Sequence, residues 1–166
     1  MNWLGELVQN EVTESDTLLD LGCGVMQATD GLICKYIVCC DIFLPYLDEL
    51  KYRYSTIRLN LNELDKFPDN SYDVVICLDV LEHLDKELAI FVIENMKRIC
   101  RRKAIVYTPR FFDSNTEAVD NAWGFGKNDY QKHLCLIEKP VLHSRGFKPS
   151  NDNEDGGTYG VYEKWS

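Results

Sequence analysis

The sequence predicts an α/β fold with a doubly wound, mostly parallel sheet and helices on both faces. Three observations predict it. Short apolar runs such as "YDVVICLD" (72–79) and "KAIVYTP" (103–109) alternate with segments of helical spacing. The runs are apolar at nearly every position rather than every second one, as in strands covered on both faces. The first of them, "TLLDLGCG" (17–24), closes on an acid and two glycines, which suits a tight turn out of a strand.

"WLGELVQNEV" spaces its apolar residues helically and gives an opening helix over residues 2–11. "TLLDLG" is the first buried strand. A segment near 26–35 is helical by position, shortened by Asp30 and Gly31. "YIVCCD" (36–41) is a second strand that ends on an acid. "YLDELKYR" (46–53) is helical, with Pro45 suited to a first turn. "STIRLNL" (55–61) is a third strand, followed by the turn chemistry of "DKFPDNS". "YDVVICLD" is the strongest strand, and "KELAIFVIENMKRIC" (86–100) is an amphipathic helix. "KAIVYTP" is a fifth strand, ended by Pro109. "FFDSNTEAVDNAWGFGKNDYQKH" (111–133) is a long excursion, and "LIEKPVLHSRG" (136–146) is helix-like up to Gly146. "GTYGVYEKW" (157–165) is a late, glycine-broken strand of edge-like character, expected to lie antiparallel beside the fifth. No repeat or linker interrupts the series, so one Rossmann-like domain over residues 1–166 is expected.

Eighteen basic against 27 acidic residues give a net charge of −9, which argues against a broad phosphate-binding surface. The basic run "KRICRRK" (97–103) reads as a solvated helix end. Acidic residues near the N-terminus do not suit a signal peptide, and no stretch reaches the ~18–20 apolar residues of a membrane span. The 7 cysteines are odd in number, include no CxxC and have no histidine at zinc-ligand spacing, so no metal is expected. They read as small buried hydrophobes in a reducing cytoplasm.

In open α/β sheets, ligands bind at the carboxyl ends of the strands, which puts Gly22 and Gly24 on the ligand edge. A dinucleotide fingerprint would place a third glycine where the chain has Gln27, and no GK[ST] supplies a P-loop. What remains is Asp20 before the turn, the glycine pair, and Asp41 at the end of the second strand. A carboxylate at that second position suits the two hydroxyls of a ribose, and Asp20 suits an ammonium group. A ligand with a ribose, a cationic amino acid and no phosphate matches S-adenosylmethionine.

The chain resembles class I S-adenosylmethionine-dependent methyltransferases of the compact methyltransferase-domain type, over about residues 15–149. "LLDLGCG" is similar to their first motif and "VCCDIFLPYL" (38–47) to their second-strand acid segment. "RLNLNELDKFPDNSYDVVICLDVLEHL" (58–84) is similar to the third and fourth segments joined, and "RKAIVYTPR" (102–110) to the fifth strand. "NDYQKH" (128–133) is similar to a later stretch in some relatives. The resemblance implies that Asp20, Gly22, Cys23 and Gly24 cradle the methionine part of the donor. It implies that Asp41 holds the ribose and that Ile42 packs on adenine. Asn60 stands where relatives often carry an Asp facing the adenine amino group, and Leu61 beside it joins the donor-binding set. Asp79 and Val80 fall at the lip where donor and acceptor meet. Met26 replaces a third glycine common in relatives, which with the short helix predicts a looser pocket wall.

The implied reaction moves a methyl group from S-adenosylmethionine to a small molecule or a sugar or lipid intermediate. Such alignment-driven chemistry needs a base only for a protonated nucleophile. Asp79 and His133 are the catalytic candidates, with His133 readable as a general base or as a loop histidine. Glu82 and His83 read as a structural pair that orients a turn. Phe111, Phe112, Trp123, Phe125 and Tyr130 read as a loop core, as a roof over the acceptor, or as both. A different class is a non-catalytic S-adenosylmethionine-binding or partner protein with the same fold.

Overall fold

The computed structural model describes residues 2–120, 122–150 and 156–164. Helix α1 (Trp3–Glu11) starts where the Gly5 amide donates to the Asn2 side chain at 2.9 Å. Five parallel strands follow the predicted order: β1 (Thr17–Leu21), β2 (Tyr36–Asp41), β3 (Ser55–Arg58), β4 (Tyr72–Leu78) and β5 (Cys100–Pro109). Helix α2 (Leu44–Leu50) carries Pro45 in its first turn, and α3 (Lys86–Ile99) is capped by Asp85, whose carboxylate accepts from the Leu88 amide. After β5 come α4 (Thr116–Asp120), α5 (Lys139–His143), β6 (Lys148–Ser150) and β7 (Gly157–Glu163). The sheet order is β3-β2-β1-β4-β5-β7-β6, with β7 antiparallel to both β5 and β6. Trp165, included in the late strand by the sequence, lies outside the described residues.

The alternation of side chains along each strand divides the core into two layers. Leu19, Val75, Cys77 and Val106 face α3 and α5 through Val92, Ile93, Met96 and Leu142. Leu18, Val74, Ile76 and Ile105 face α1 and α2 through Leu4, Val8, Leu47 and Leu50. The adjacent Cys39 and Cys40 go to opposite layers, and every cysteine is free. Among the described residues, no helix is long and apolar enough to cross a membrane.

The structure departs from the sequence reading in several places. Residues 27–31 form turns and the rest of 26–35 is irregular, with no helix. Met26 sits at φ 59 and Gly31 at φ 85, left-handed positions that an α-helix cannot include. The wall there is not loose, because Met26 is fully buried and receives the Cys39 thiol at 3.3 Å. β3 ends at Arg58, three residues early, because Asn60 turns the chain into a 3₁₀ segment (Leu61–Lys66) by accepting from the Asn62 amide. β7 is not an edge, since the three-residue β6, too short to show a period, lies outside it.

The basic run 97–103 is not a solvated helix end. It spans the close of α3 and the start of β5, and its cations are paired: Arg98 with Asp69, Arg101 with Asp73, Arg102 with Asp16 and Lys103 with Glu11. Asp16 is buried and also accepts from the Thr13 amide at 2.6 Å. Asp16→Ala should therefore cost about 2–4 kcal/mol, since it strands a guanidinium and frees a turn. Asp48→Ala, which breaks the exposed Lys51 pair, should change stability by less than ~0.5 kcal/mol. Urea midpoints at constant m-value measure both.

Candidate functional site

The carboxyl ends of β1 to β4 open on one cavity of about 780 Å³, within the usual range for small-molecule sites. Its β1 side is a turn bound to the end of β2. The Gly22 and Cys23 amides both donate to the Cys40 carbonyl, at 2.8 and 2.9 Å, and the Gly24 amide donates to the Asp41 carboxylate at 3.0 Å. Gly22 has φ +74, and a Cβ built there would lie 2.4 Å from a Val80 methyl. Only glycine lets β1 and β4 close this tightly. Gly24 has φ +52 but faces open space.

Asp20, almost wholly buried, accepts from the Thr29 hydroxyl at 2.9 Å. Burial pushes its carboxyl up to about 7, against the lowering effect of Thr29 and with a further push from the Asp41 charge. Burial also raises the Asp41 carboxyl, and the amides of Phe43 and Gly24 oppose it. Cys23 lines the cavity wall, its thiol held well above the ordinary range by the Cys39 hydrogen bond and by burial. Ile42 follows Asp41 on the same wall, and its carbonyl accepts from the Arg58 side chain at 3.3 Å. Asn60 and Leu61 line the cavity beyond β3.

Asp79 and Val80 complete the β4 side. Asp79 adopts φ 53, a left-handed conformation at the point where the strand gives way to the next turn. Beyond it, the 3₁₀ turn Leu81–His83 presents Glu82 and His83, and the excursion returns His133. The His83 and His133 rings lie 4.8 Å apart between centroids. Burial and the neighbouring Asp79 charge hold the Glu82 carboxyl well above its ordinary range. Burial, with the nearby His133, lowers His83 to about 4. Trp123 and Tyr130 also line the cavity, whereas Phe111 and Phe112 are exposed away from it and Phe125 packs on the Tyr46 ring.

Every donor-binding and catalytic candidate from the sequence thus borders one cavity, from Asp20 through Asp41 and Asn60 to Asp79 and His133, while Phe111, Phe112 and Phe125 do not. The sequence missed Thr29, Tyr46 and Asn128. Thr29 lay inside a segment read as helix, and nothing local distinguishes it. Tyr46 and Asn128 meet across the cavity, the Asn128 amide donating to the phenol at 3.4 Å, a pairing that only the fold reveals. Glu82, His83 and His133 come together as possible metal ligands, each offering an atom within 4.8 Å of the others. A search for cysteine-based spacing passes over such a set, because His133 lies far from the pair in sequence.

The model of a family described as "Methyltransferase domain" matches residues 19–108. No curated protein sequence matches the chain significantly. Among solved structures, a Pyrococcus horikoshii protein superposes with a TM-score of 0.70 at 17% identity, covering 98% of this chain and 88% of its own. Magnesium protoporphyrin IX methyltransferase from Synechocystis, solved with bound SAH, gives 0.68 at 17% identity, with 98% and 80% covered. An Archaeoglobus fulgidus SAM-dependent methyltransferase gives 0.64 at 13% identity, with 96% and 94% covered. At these identities the likeness is one of fold.

The contrast between the two turn glycines is directly measurable. Gly22→Ala should cost about 2–4 kcal/mol, combining a left-handed alanine with overlap on Val80. Val80→Ala in the same chain should recover part of that loss by removing the overlapping methyls. Gly24→Ala should cost only about 1–2 kcal/mol, the backbone cost alone. Thermal or urea unfolding of the three variants gives the comparison.

Proposed function

We propose, on the premise that this chain belongs to the methyltransferase-domain family, that it transfers a methyl group from S-adenosylmethionine to an acceptor. The acceptor is a small molecule or a sugar or lipid intermediate, and the chain works as a single domain. One observation carries this reading. Among the described residues, the cavity is lined by Asp20, Asp41, Asp79, Glu82 and Asp85 and by no lysine or arginine. A phosphate-bearing cofactor would meet repulsion there, whereas a ligand carrying ammonium and sulfonium charge meets attraction.

The residues suit such a donor part by part. Asp41 spends one lone pair of each oxygen on backbone, Oδ2 on Gly24 and Oδ1 on Phe43, and keeps others for ribose hydroxyls. Asp20 lies deeper beside the glycine turn, suited to the amino acid's ammonium. Gly22, Cys23 and Gly24 admit the methionine chain close to the backbone. Ile42 and Leu61 offer apolar contact to adenine, and Asn60 retains acceptor capacity for its amino group. When bound, S-adenosylmethionine supplies a methyl group already activated by its sulfonium. The protein's own contribution is alignment, with Asp79, Val80 and His133 at the acceptor end and Asp79 and His133 acting on the acceptor's proton.

Calorimetry should find one S-adenosylmethionine, or its demethylated product, per chain, and no comparable binding of NAD. Absence of binding at millimolar ligand overturns the reading. The pH profile identifies Asp20. Its raised carboxyl is largely protonated below about pH 7 in the free protein, while an ammonium partner requires it ionised. Affinity should therefore rise with pH up to about 7, by up to tenfold per unit, and then level off. Asp20→Asn, which keeps an acceptor for Thr29, should lower affinity and flatten that rise.

His133→Ala should lower turnover, followed with labelled donor, by about 10²–10⁴-fold while donor affinity is unchanged. A loss confined to acceptor affinity would show instead that His133 only shapes the loop.

A further inference from the structure

We infer that Glu82, His83 and His133 form a three-ligand site for a divalent first-row transition ion, open toward the acceptor side of the cavity. The inference about the ion rests on the donor set. What the ion does rests on the methyl-transfer reading above.

The three side chains reach one point from two distant parts of the chain. Glu82 and His83 are consecutive on the 3₁₀ turn after β4, and His133 returns from the excursion after β5. One ligand atom from each lies within 4.8 Å of the other two. Ligands bound at about 2.0–2.2 Å cannot be more than ~4.4 Å apart, so only a small inward adjustment closes the set.

Each ligand is also oriented from behind. The Thr108 hydroxyl donates to Glu82 Oε2 at 3.4 Å. His83 Nδ1 lies 3.4 Å from the Lys132 carbonyl, so a proton on Nδ1 serves that carbonyl and leaves Nε2 its lone pair. The His133 segment is fixed by Glu82 itself, whose carbonyl accepts the Leu134 and Cys135 amides at 2.6 and 3.2 Å. One residue thus supplies a ligand and places another. A purely structural Glu-His pair would not need the second histidine.

The carboxylate explains why a cation belongs here. Glu82 is 2% exposed yet borders the cavity, and no lysine or arginine joins it on that lining among the described residues. A buried carboxylate is stable when a cation meets it. One carboxylate oxygen and two imidazole nitrogens select zinc, cobalt, manganese or iron(II) over the all-oxygen preference of magnesium or calcium. Three protein ligands leave positions open for an exogenous oxygen, the arrangement of a catalytic rather than a structural site.

The acceptor class follows. It carries a hydroxyl or phenol oxygen that takes an open position on the ion. Its proton leaves to solvent, because the ion lowers the hydroxyl pKa. The oxygen lone pair then forms the new O–CH₃ bond as the S–CH₃ bond breaks. That bonding pair goes to sulfur, and the ion keeps its oxidation state. His133 thereby acts on the acceptor's proton through the ion rather than by accepting it.

The test uses the full chain titrated with Co(II), read by visible absorption and by calorimetry, with S-adenosylmethionine affinity measured separately. Expected is one Co(II) per chain, with d–d bands, no thiolate charge-transfer band, and displacement by Zn(II). His83→Ala and the loop variant His133→Ala should each weaken Co(II) by more than the about 10–100-fold typical of losing a supporting partner. Both should still bind S-adenosylmethionine, which shows that they are folded. No Co(II) binding, binding through thiolates, or binding unchanged in both variants overturns the site. Donor binding without Co(II) leaves the methyl-transfer reading standing and removes this one. Co(II) binding without donor does the reverse.

Discussion

Three successive amides of the glycine turn depend on two residues at the end of β2. The Cys40 carbonyl takes Gly22 and Cys23, and the Asp41 carboxylate takes Gly24. The same carboxylate accepts the Phe43 amide at 2.8 Å, where α2 begins. Asp41 therefore joins the turn after β1, the end of β2 and the start of the next helix. Ionised, it faces a burial penalty, and charge-assisted amide bonds offset it. The arrangement holds the backbone open while leaving carboxylate lone pairs directed to the cavity. Fold and site share one group.

The connection continues to the acceptor side. Tyr46 on α2 packs its ring on Phe43 and Phe125, at centroid distances of 4.8 and 5.5 Å, and its hydroxyl accepts from buried Asn128. Asn128 in turn accepts the Tyr130 amide and donates its own amide to Val119. The helix positioned by Asp41 thus anchors the excursion that carries Tyr130 and His133. The other end of that excursion is held by the Glu82 carbonyl. Two separate attachments fix the loop, one from the β2 side and one from the β4 side. His133 stands between them.

Much of this was legible in the sequence because buried parallel strands announce themselves. "YIVCCD" and "YDVVICLD" have few other physical options, and Asp20, Gly22, Gly24 and Asp41 fall at strand ends where ligands bind. The turns and irregular backbone of 26–35 were not legible, since the left-handed Met26 is set by tertiary contact. Burial against Cys39 and the Asp30 ties to Arg53 and Tyr54 outweigh local helix preference there. The role of the run 97–103 was hidden for a similar reason. A line of cations looks solvated until the fold brings Asp16, Asp69 and Asp73 against it. Glu82 and His83 were visible as a pair, but their third member became a neighbour only through the loop's return.

Net charge says less about the ligand than the placement of charge does. The chain is acidic overall, yet one cluster of its cations lies where β4 and β5 begin. There Arg101 meets Asp73, Arg102 meets Asp16 beside the start of β1, and Lys103 meets Glu11. At the carboxyl ends of the same strands, the cavity holds carboxylates with no lysine or arginine among the described residues. Parallel strands make this separation possible, because every strand starts at one edge and finishes at the other. The carboxylates cannot be neutralised by the paired basic cluster across the width of the sheet, and exposed surface charges are screened by solvent. A cation that enters the cavity therefore meets acidic groups in the lining and no lysine or arginine there among the described residues. That lining favours a sulfonium and ammonium ligand over a phosphate, and it favours a metal ion beside Glu82 for the same reason.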